Sequence, residues 1–382
     1  MGRYRSLDGL RGVAALAVVF WHVSLVVPAF TNVILRGEDP EQFTLEWWLT
    51  RTPFAAFEIG HEAVLVFFIL SGFVLTLQFT SMPSTARSTR DYYARRLTRL
   101  YVPVWGAVGL AVLLAVIVPR DPSAESLWIA THDAPSALEV IKGLTLIGGS
   151  TGLNTPLWSL TLEVWFSLLL PVALIALRWM RVERWWVIAI ALCIVASASA
   201  LSIAPLLPVP SLALVLQYPP VFVIGIVLAL RFDEIAVYAR GLPWPLILAG
   251  VVGVTASQSI VVANEGVEAL LRGGTLLGLT LVVVAAIEYS PLTKALSTRP
   301  TLWLGIRSFS LYLVHEPIVV AAALMVGAAL WWPWLGIAVL LLPVILLVTE
   351  AFYRLVEKPS HKLSKRAGQW AAGPRKAEPR SG

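Results

Sequence analysis

Ten apolar runs, each near the roughly 20 residues that cross a bilayer as a helix, constrain this chain more than any other feature. They lie at about 12–29, 59–79, 101–118, 157–178, 185–204, 211–230, 243–263, 270–287, 304–329 and 331–353. In lipid, a single segment satisfies its own backbone N–H and C=O groups only as a helix. The composition agrees: 58% of the 382 residues are hydrophobic and 14% charged, far from ordinary soluble usage. The reading is an all-α integral membrane protein of about ten transmembrane helices. The first run passes directly into a polar loop and a second span, with no small-residue cleavage pattern, so it is expected to stay in the chain. The lone Cys193 rules out a disulfide framework and a thiolate metal site, and no metal is expected.

Lys and Arg orient the spans, because they accumulate on the cytoplasmic side. Of the 29 in the chain, only Arg36, Arg51, Arg120, Lys142 and Arg272 fall in one set of alternate connections, and all the others fall in the opposite set. Both termini are therefore expected in the cytoplasm, in a multi-pass protein of the inner (plasma) membrane. The net charge of +6 then reflects topology, and no nucleic-acid partner is expected. Two outer connections, about 30–58 and 119–156, are long enough to roof a cavity. The second contains a short apolar piece, 138–147, expected as an interfacial or re-entrant segment. No soluble catalytic domain is visible, so any chemistry belongs to a membrane domain of residues 1–360. Residues 361–382 are expected to form a basic cytoplasmic tail, disordered and lying beside lipid.

Polar groups inside such spans mark pathways, relays or reactions. In "RSLDGLRGVAALAVVFWHV", Arg11 and His22 are eleven residues apart, which on a helix is about three turns and about 16 Å along one face. Asp8 and Arg11 stand at the mouth and His22 near mid-membrane, a separation suited to a ligand with an anionic head and a long reactive arm. "RDYYARRLTRLYVPVW" crowds Arg95, Arg96 and Arg99 into one turn, with Arg95 and Arg99 at the i, i+4 spacing that shares a face. Guanidinium forks bind phosphate bidentately. "FFILSGFVL" carries Ser71 inside the second span. "PLWSLTLEVWFSLLLP" sinks Glu163 below Trp158 and Ser159, a depth at which a carboxylate must face a wet cavity or a cation. "GIRSFSLYLVHEPIVV" brings His315 and Glu316 about 18 Å from the inner mouth by helix rise, level with His22.

Taken in order, "LDGLRGVAALAVVFWH", "VFFILSGFVL", "YYARRLTRLYVPVW", "LWSLTLEVWFSLLLP", "SLYLVHEP" and "YRLVEKP" resemble the membrane-bound acyltransferase-3 family across residues 5 to 360. The resemblance implies an O-acyltransferase in its stand-alone form, without the SGNH-type esterase domain that many relatives append. Such an enzyme takes an acyl group, most often acetyl, from cytoplasmic acyl-CoA. It places the group on a hydroxyl of an extracytoplasmic or lipid-linked carbohydrate, or of a small-molecule glycoside. The family's Arg-x10-His signature falls on Arg11 and His22. On this reading His22, Glu163 and His315 are the catalytic candidates, with His22 either general base or acyl carrier. Arg11, Arg95, Arg96, Arg99 and Ser71 are the candidates for holding acyl-CoA, and Trp158, Ser159 and Asp8 for contacting the acceptor. The expected partners are acyl-CoA, the acceptor and the bilayer, with a homo-oligomer left open. A transporter or flippase of a polar or lipid-linked substrate also needs buried polar residues at the midplane. It has no use for an arginine cluster on one face only, and no two-half symmetry is evident.

Overall fold

The computed structural model describes residues 4–57, 59–83, 85–121, 123–132, 134–147, 152–178, 184–203, 216–260, 265–327 and 331–373. Among them there is no strand. The long helices are α1 (Arg5–Ser24), α2 (Gly60–Thr80), α3 (Ala86–Ile117), α4 (Leu157–Arg178) and α5 (Trp185–Ile203), then α6 (Pro219–Ala239), α7 (Trp244–Ile260), α8 (Glu265–Glu288), α9 (Arg299–Val326) and α10 (Trp331–Phe352). One helix thus answers each of the ten expected spans. Eight are long and apolar enough to cross a membrane. The exceptions are α6, whose C-terminal part carries Arg231, Asp233 and Glu234, and the shorter α7. Residues 211–215 of the expected sixth span, and 261–263 of the seventh, lie outside the described residues.

α1 runs between α2 and α9, with α3 beside α9 and α4 against α2 and α3. These five helices enclose the polar residues, while α5 and α10 turn many apolar side chains outward, among them Leu192, Val195, Leu340 and Leu347. The approach of α1 to α9 depends on glycine. A Cβ on Gly305 would lie 1.9 Å from the Asp8 carbonyl oxygen, and one on Gly12 would lie 2.6 Å from the Gly305 nitrogen. Small residues at such crossings let two backbones meet in lipid. Two prolines open the ladders of α4 and α9, since proline donates no hydrogen bond to the carbonyl four residues back. Pro171 frees the Ser167 carbonyl, which accepts from the Tyr92 hydroxyl at 3.0 Å. Pro317 frees that of Leu313, which accepts from Asn154 Nδ2 at 3.0 Å.

Where a disordered tail is expected, residues Lys358–Ala372 form a further helix, α11. Ser360, Ser364 and Gly368 make its buried stripe, small enough to seat it along α3, and its basic residues face out. Packing on one face thus outweighs the low average hydrophobicity that favours disorder. Residues 374–382 of the expected tail lie outside the described residues. The expected interfacial piece is the short helix Ala137–Thr145, closed at its start by a reciprocal Ser136–Glu139 capping box and packed on α3.

Candidate functional site

A cavity of about 250 Å³ lies between α1, α2, α3, α4 and α9. Asp8, Arg11, Arg99, Glu357 and His361 line one end, and Ser159 and Tyr312 line it farther along α4 and α9. Its wall carries Ser71, Arg96 and Glu163. Here the depth reading of Glu163 finds its cation: Arg96 forms an ion pair with it, and the Ser71 hydroxyl donates to the same carboxylate oxygen at 2.9 Å. Arg96 Nε also donates to Ser167 Oγ at 2.9 Å. Arg11 and Arg99 differ from Arg96. Neither makes a hydrogen bond or ion pair with any described residue, and Arg99 stands in the fields of Arg11, Arg96, Glu357 and Glu163. The Glu357 carboxylate accepts from the backbone N–H of Ser310 at 3.1 Å and from its hydroxyl. Of the three crowded arginines only Arg95 turns away. Its Nε donates to Asp91 Oδ1 at 2.8 Å, beside Gly368 of α11. The i, i+4 relation of Arg95 and Arg99 therefore does not bring the two into one site.

The Ser159 and Tyr312 hydroxyls are 2.8 Å apart, and Tyr312 also donates to the Pro156 carbonyl at 3.2 Å. One turn farther along α9 lies a second polar cluster. His22 Nδ1 is 2.8 Å from His315 Nε2, so the equal depth read from helix rise becomes a direct contact. The carboxylate beside His22 is Glu316, with Oε2 at 3.4 Å from His22 Nε2; Glu163 is engaged with Arg96 instead. Trp158 stands apart from both, with its ring against Phe68 and Tyr218, whereas Asp8 and Ser159 line the cavity.

Three members of this second cluster, His132, Trp128 and Thr155, are not singled out in the sequence reading. His132 Nε2 is 3.0 Å from Glu316 Oε1, and its Nδ1 donates to the Trp128 carbonyl at 2.7 Å. The Trp128 ring stacks on His22 with centroids 5.3 Å apart and planes 19° from parallel. Thr155 donates to Glu316 through its backbone N–H, at 2.6 Å, and through its hydroxyl. All three come from the 119–156 connection. That connection docks because Ser126, which caps the short helix Leu127–Ala130, donates to the Leu25 carbonyl just past α1 at 2.8 Å. The i, i+4 pair Trp128 and His132, in a connection too long for a simple hairpin, is the one sequence signal that could have pointed there, and the sequence reading does not use it. Arg120, from the same connection, buries its three guanidinium nitrogens with no hydrogen-bond partner among the described residues. Burial works against its charge and lowers its proton affinity, while Glu316 favours the charge. Among the described residues no group of three or more His, Cys, Asp or Glu is arranged to hold a metal ion.

Comparison with known proteins gives one family and three curated relatives. The acyltransferase-3 family, described as an acyltransferase domain, matches residues 4–353. "Acyltransferase MdmB" of Streptomyces mycarofaciens is 27% identical over 402 residues, covering 97% of this chain and 95% of the relative. "Peptidoglycan O-acetyltransferase OatA" of Listeria monocytogenes is 24% identical, covering 94% of this chain and 56% of the relative. "Putative peptidoglycan O-acetyltransferase YrhL" of Bacillus subtilis is 26% identical, covering 92% and 54%. The chain thus spans nearly all of the first and little more than half of the other two. No solved structure matches it.

Proposed function

The chain belongs to the acyltransferase-3 family, and from that premise we propose that it moves an acyl group, acetyl first among them, from acyl-CoA to a hydroxyl of a cell-envelope carbohydrate or small-molecule glycoside. The observation that carries the donor assignment is the pair of guanidinium groups, Arg11 and Arg99, which make no ion pair with any described residue and line one end of a cavity that runs toward two histidines. Guanidinium forks bind phosphate bidentately. The arginine end faces the cytoplasm in this proposal, in keeping with the charge distribution of the connections. The pantetheine arm follows α1 from Arg11 toward His22, past the Tyr312–Ser159 hydroxyl pair. The acceptor arrives from the opposite face, under the 119–156 connection.

His22 serves as general base. Its Nδ1–H donates to His315 Nε2, because His315 Nδ1 already donates to the Leu311 carbonyl at 2.9 Å and a neutral imidazole has one N–H. That leaves His22 Nε2 to take the acceptor's hydroxyl proton. The alkoxide oxygen bonds to the thioester carbonyl carbon, the C–S bond breaks, and the thiolate leaves with the proton from His22. The test compares envelope glycans and exported small molecules, by mass spectrometry, from cells with the protein, without it, and with His22→Ala. An acyl ester present only with the unaltered protein is expected; identical ester profiles in all three overturn the proposal. Reporter fusions test the orientation, with Arg184 expected inside and Asp121 outside. A cytoplasmic reading at Asp121 reverses it.

A further inference from the structure

Arg120 lies just past the end of α3, and the turn that follows it is fixed by Asp121, whose carboxylate accepts from the backbone N–H of Ser123 at 2.9 Å and from its hydroxyl at 2.6 Å. Asp121 is exposed, while Arg120 turns its guanidinium inward. Its three nitrogens are shielded from solvent and have no hydrogen-bond partner among the described residues. The other arginines on this side of the bundle, in the proposed orientation, behave differently: Arg36 pairs with Glu38 at 3.5 Å, Arg51 with Asp39 at 3.0 Å and Arg272 with Glu268 at 3.4 Å. Pairing thus goes to the arginines that water already reaches. A guanidinium keeps its charge in a protein, and a buried charge is costly until a counter-charge meets it. The described carboxylates of its own connection and of α9 do not serve. Glu316 acts on Arg120 through its field without forming an ion pair, since its oxygens are engaged by His132 and Thr155. Glu139 closes its own capping box, and Glu125 is exposed.

We propose that Arg120 receives an anionic group of the acceptor, a phosphate or a sugar carboxylate, and thereby selects a charged carbohydrate over a neutral glycoside. The inference rests on the acyl-transfer reading and names its acceptor class. Arg120 and His22 both stand in the field of Glu316, so one sugar unit can offer an oxyanion to the first and a hydroxyl to the second. Phosphate and carboxylate alike present two oxygens, which the planar fork of a guanidinium takes through parallel N–H bonds. No hydrogen bond to a described residue holds the side chain, and its long stem lets the fork swing toward an entering anion. This site is separate from the donor end. Arg11 and Arg99 line the cavity and Arg120 does not. From Arg99 to Ile117 the helix α3 rises about 27 Å, close to the thickness of the hydrocarbon layer, about 30 Å. The two unpaired cation sites therefore stand at opposite faces, as a donor and an acceptor that arrive from opposite sides require.

The experiment uses the full-length protein in nanodiscs of phosphatidylcholine, whose headgroups carry no net charge. Equilibrium binding is measured without donor, so nothing turns over. Two matched pairs serve as probes: a glycoside bearing a carboxylate against its methyl ester, and a glycoside on a short polyprenyl phosphate against the same glycoside on an uncharged polyprenyl chain. In at least one pair the charged member should bind about tenfold or more tightly than the neutral one, as a desolvated charge contact warrants, and that pair identifies the source of the anion. Arg120→Gln should bring the ratio to about one. Arg120→Lys, which keeps a point charge without the fork, should leave a smaller preference. The neutral members should bind both variants as they bind the parent, which certifies the fold. Charged and neutral members bound alike in both pairs, a preference that survives Arg120→Gln, or a loss shared equally by the neutral members, overturns the inference. A preference abolished by Arg120→Gln, with no acetyl passing from labelled acetyl-CoA to the preferred glycoside, upholds it and sinks the acyl-CoA reading instead.

Discussion

The two polar regions of this bundle are built on opposite rules. At the arginine end, Arg11 and Arg99 form no hydrogen bond or ion pair with any described residue and line open space shared with Asp8 and Glu357. In the histidine cluster, Glu316 is engaged through both oxygens and His315 through both nitrogens. Unpaired cations next to a void suit a ligand that arrives with its own charge. Satisfied groups locked by packing suit chemistry, where fixed geometry outweighs adaptability. The difference teaches that burial alone does not identify a reacting group in a membrane helix. Glu163 and Glu316 are both sunk in helices, yet one is a counter-ion on a wall and the other a hub among rings.

Substitutions sharpen or break that contrast, and the largest effect should come from the histidine cluster. His22→Ala should lower acetyl transfer by about 10²–10⁴-fold, the usual worth of a positioned base, with acetyl-CoA affinity untouched in equilibrium binding. A parallel loss of binding would merge the two regions into one. Next comes Gly305→Ala, which sets a Cβ into the Asp8 carbonyl and pushes α1 off α9. It should separate His22 from His315 and cost about 10²-fold in transfer rate, the scale of an ångström-size misplacement, while acetyl-CoA still binds. Arg11→Gln and Arg99→Gln should each weaken acetyl-CoA binding about tenfold, or about 1.4 kcal/mol, and leave kcat at saturating donor near that of the parent. The smallest effect belongs to Arg95→Ala: less than about twofold on donor affinity, since its guanidinium is spent on Asp91 and does not line the cavity.

Much of this was legible in the sequence. Arg11 and His22 share a face because helix geometry fixes rotation per residue, and the depth of His315 follows from rise per residue. The ten apolar runs correspond one for one to helices. Helix arithmetic is silent on which neighbour a side chain meets. It therefore leaves Glu163 and Glu316 equally eligible as the partner of His22, and it groups Arg95 with Arg99 although α11 captures Arg95. His132, Trp128 and Thr155 escaped because a long connection has no period to read; their positions depend on docking through Ser126 to the end of α1. The helix α11 escaped because its seat on α3 rests on Ser360, Ser364 and Gly368, a stripe of small residues with no hydrophobic signature.

The length of α3 has a consequence for what must enter the membrane. Its 32 residues make a rod of about 48 Å, whereas the hydrocarbon layer is about 30 Å thick. If its C-terminal portion fills that layer, Arg96 and Arg99 stand at the dielectric boundary and the first three turns rise beyond it, braced by α11. Under the proposed reaction, a polyanionic donor gripped there would keep its phosphates at the watery edge and send inward only an arm without net charge. Each unit charge carried to mid-bilayer would add about 2.5–3.5 kcal/mol on insertion scales, so such a division of the proposed donor at the phase boundary would remove most of the electrostatic work of bringing its thioester to a buried imidazole.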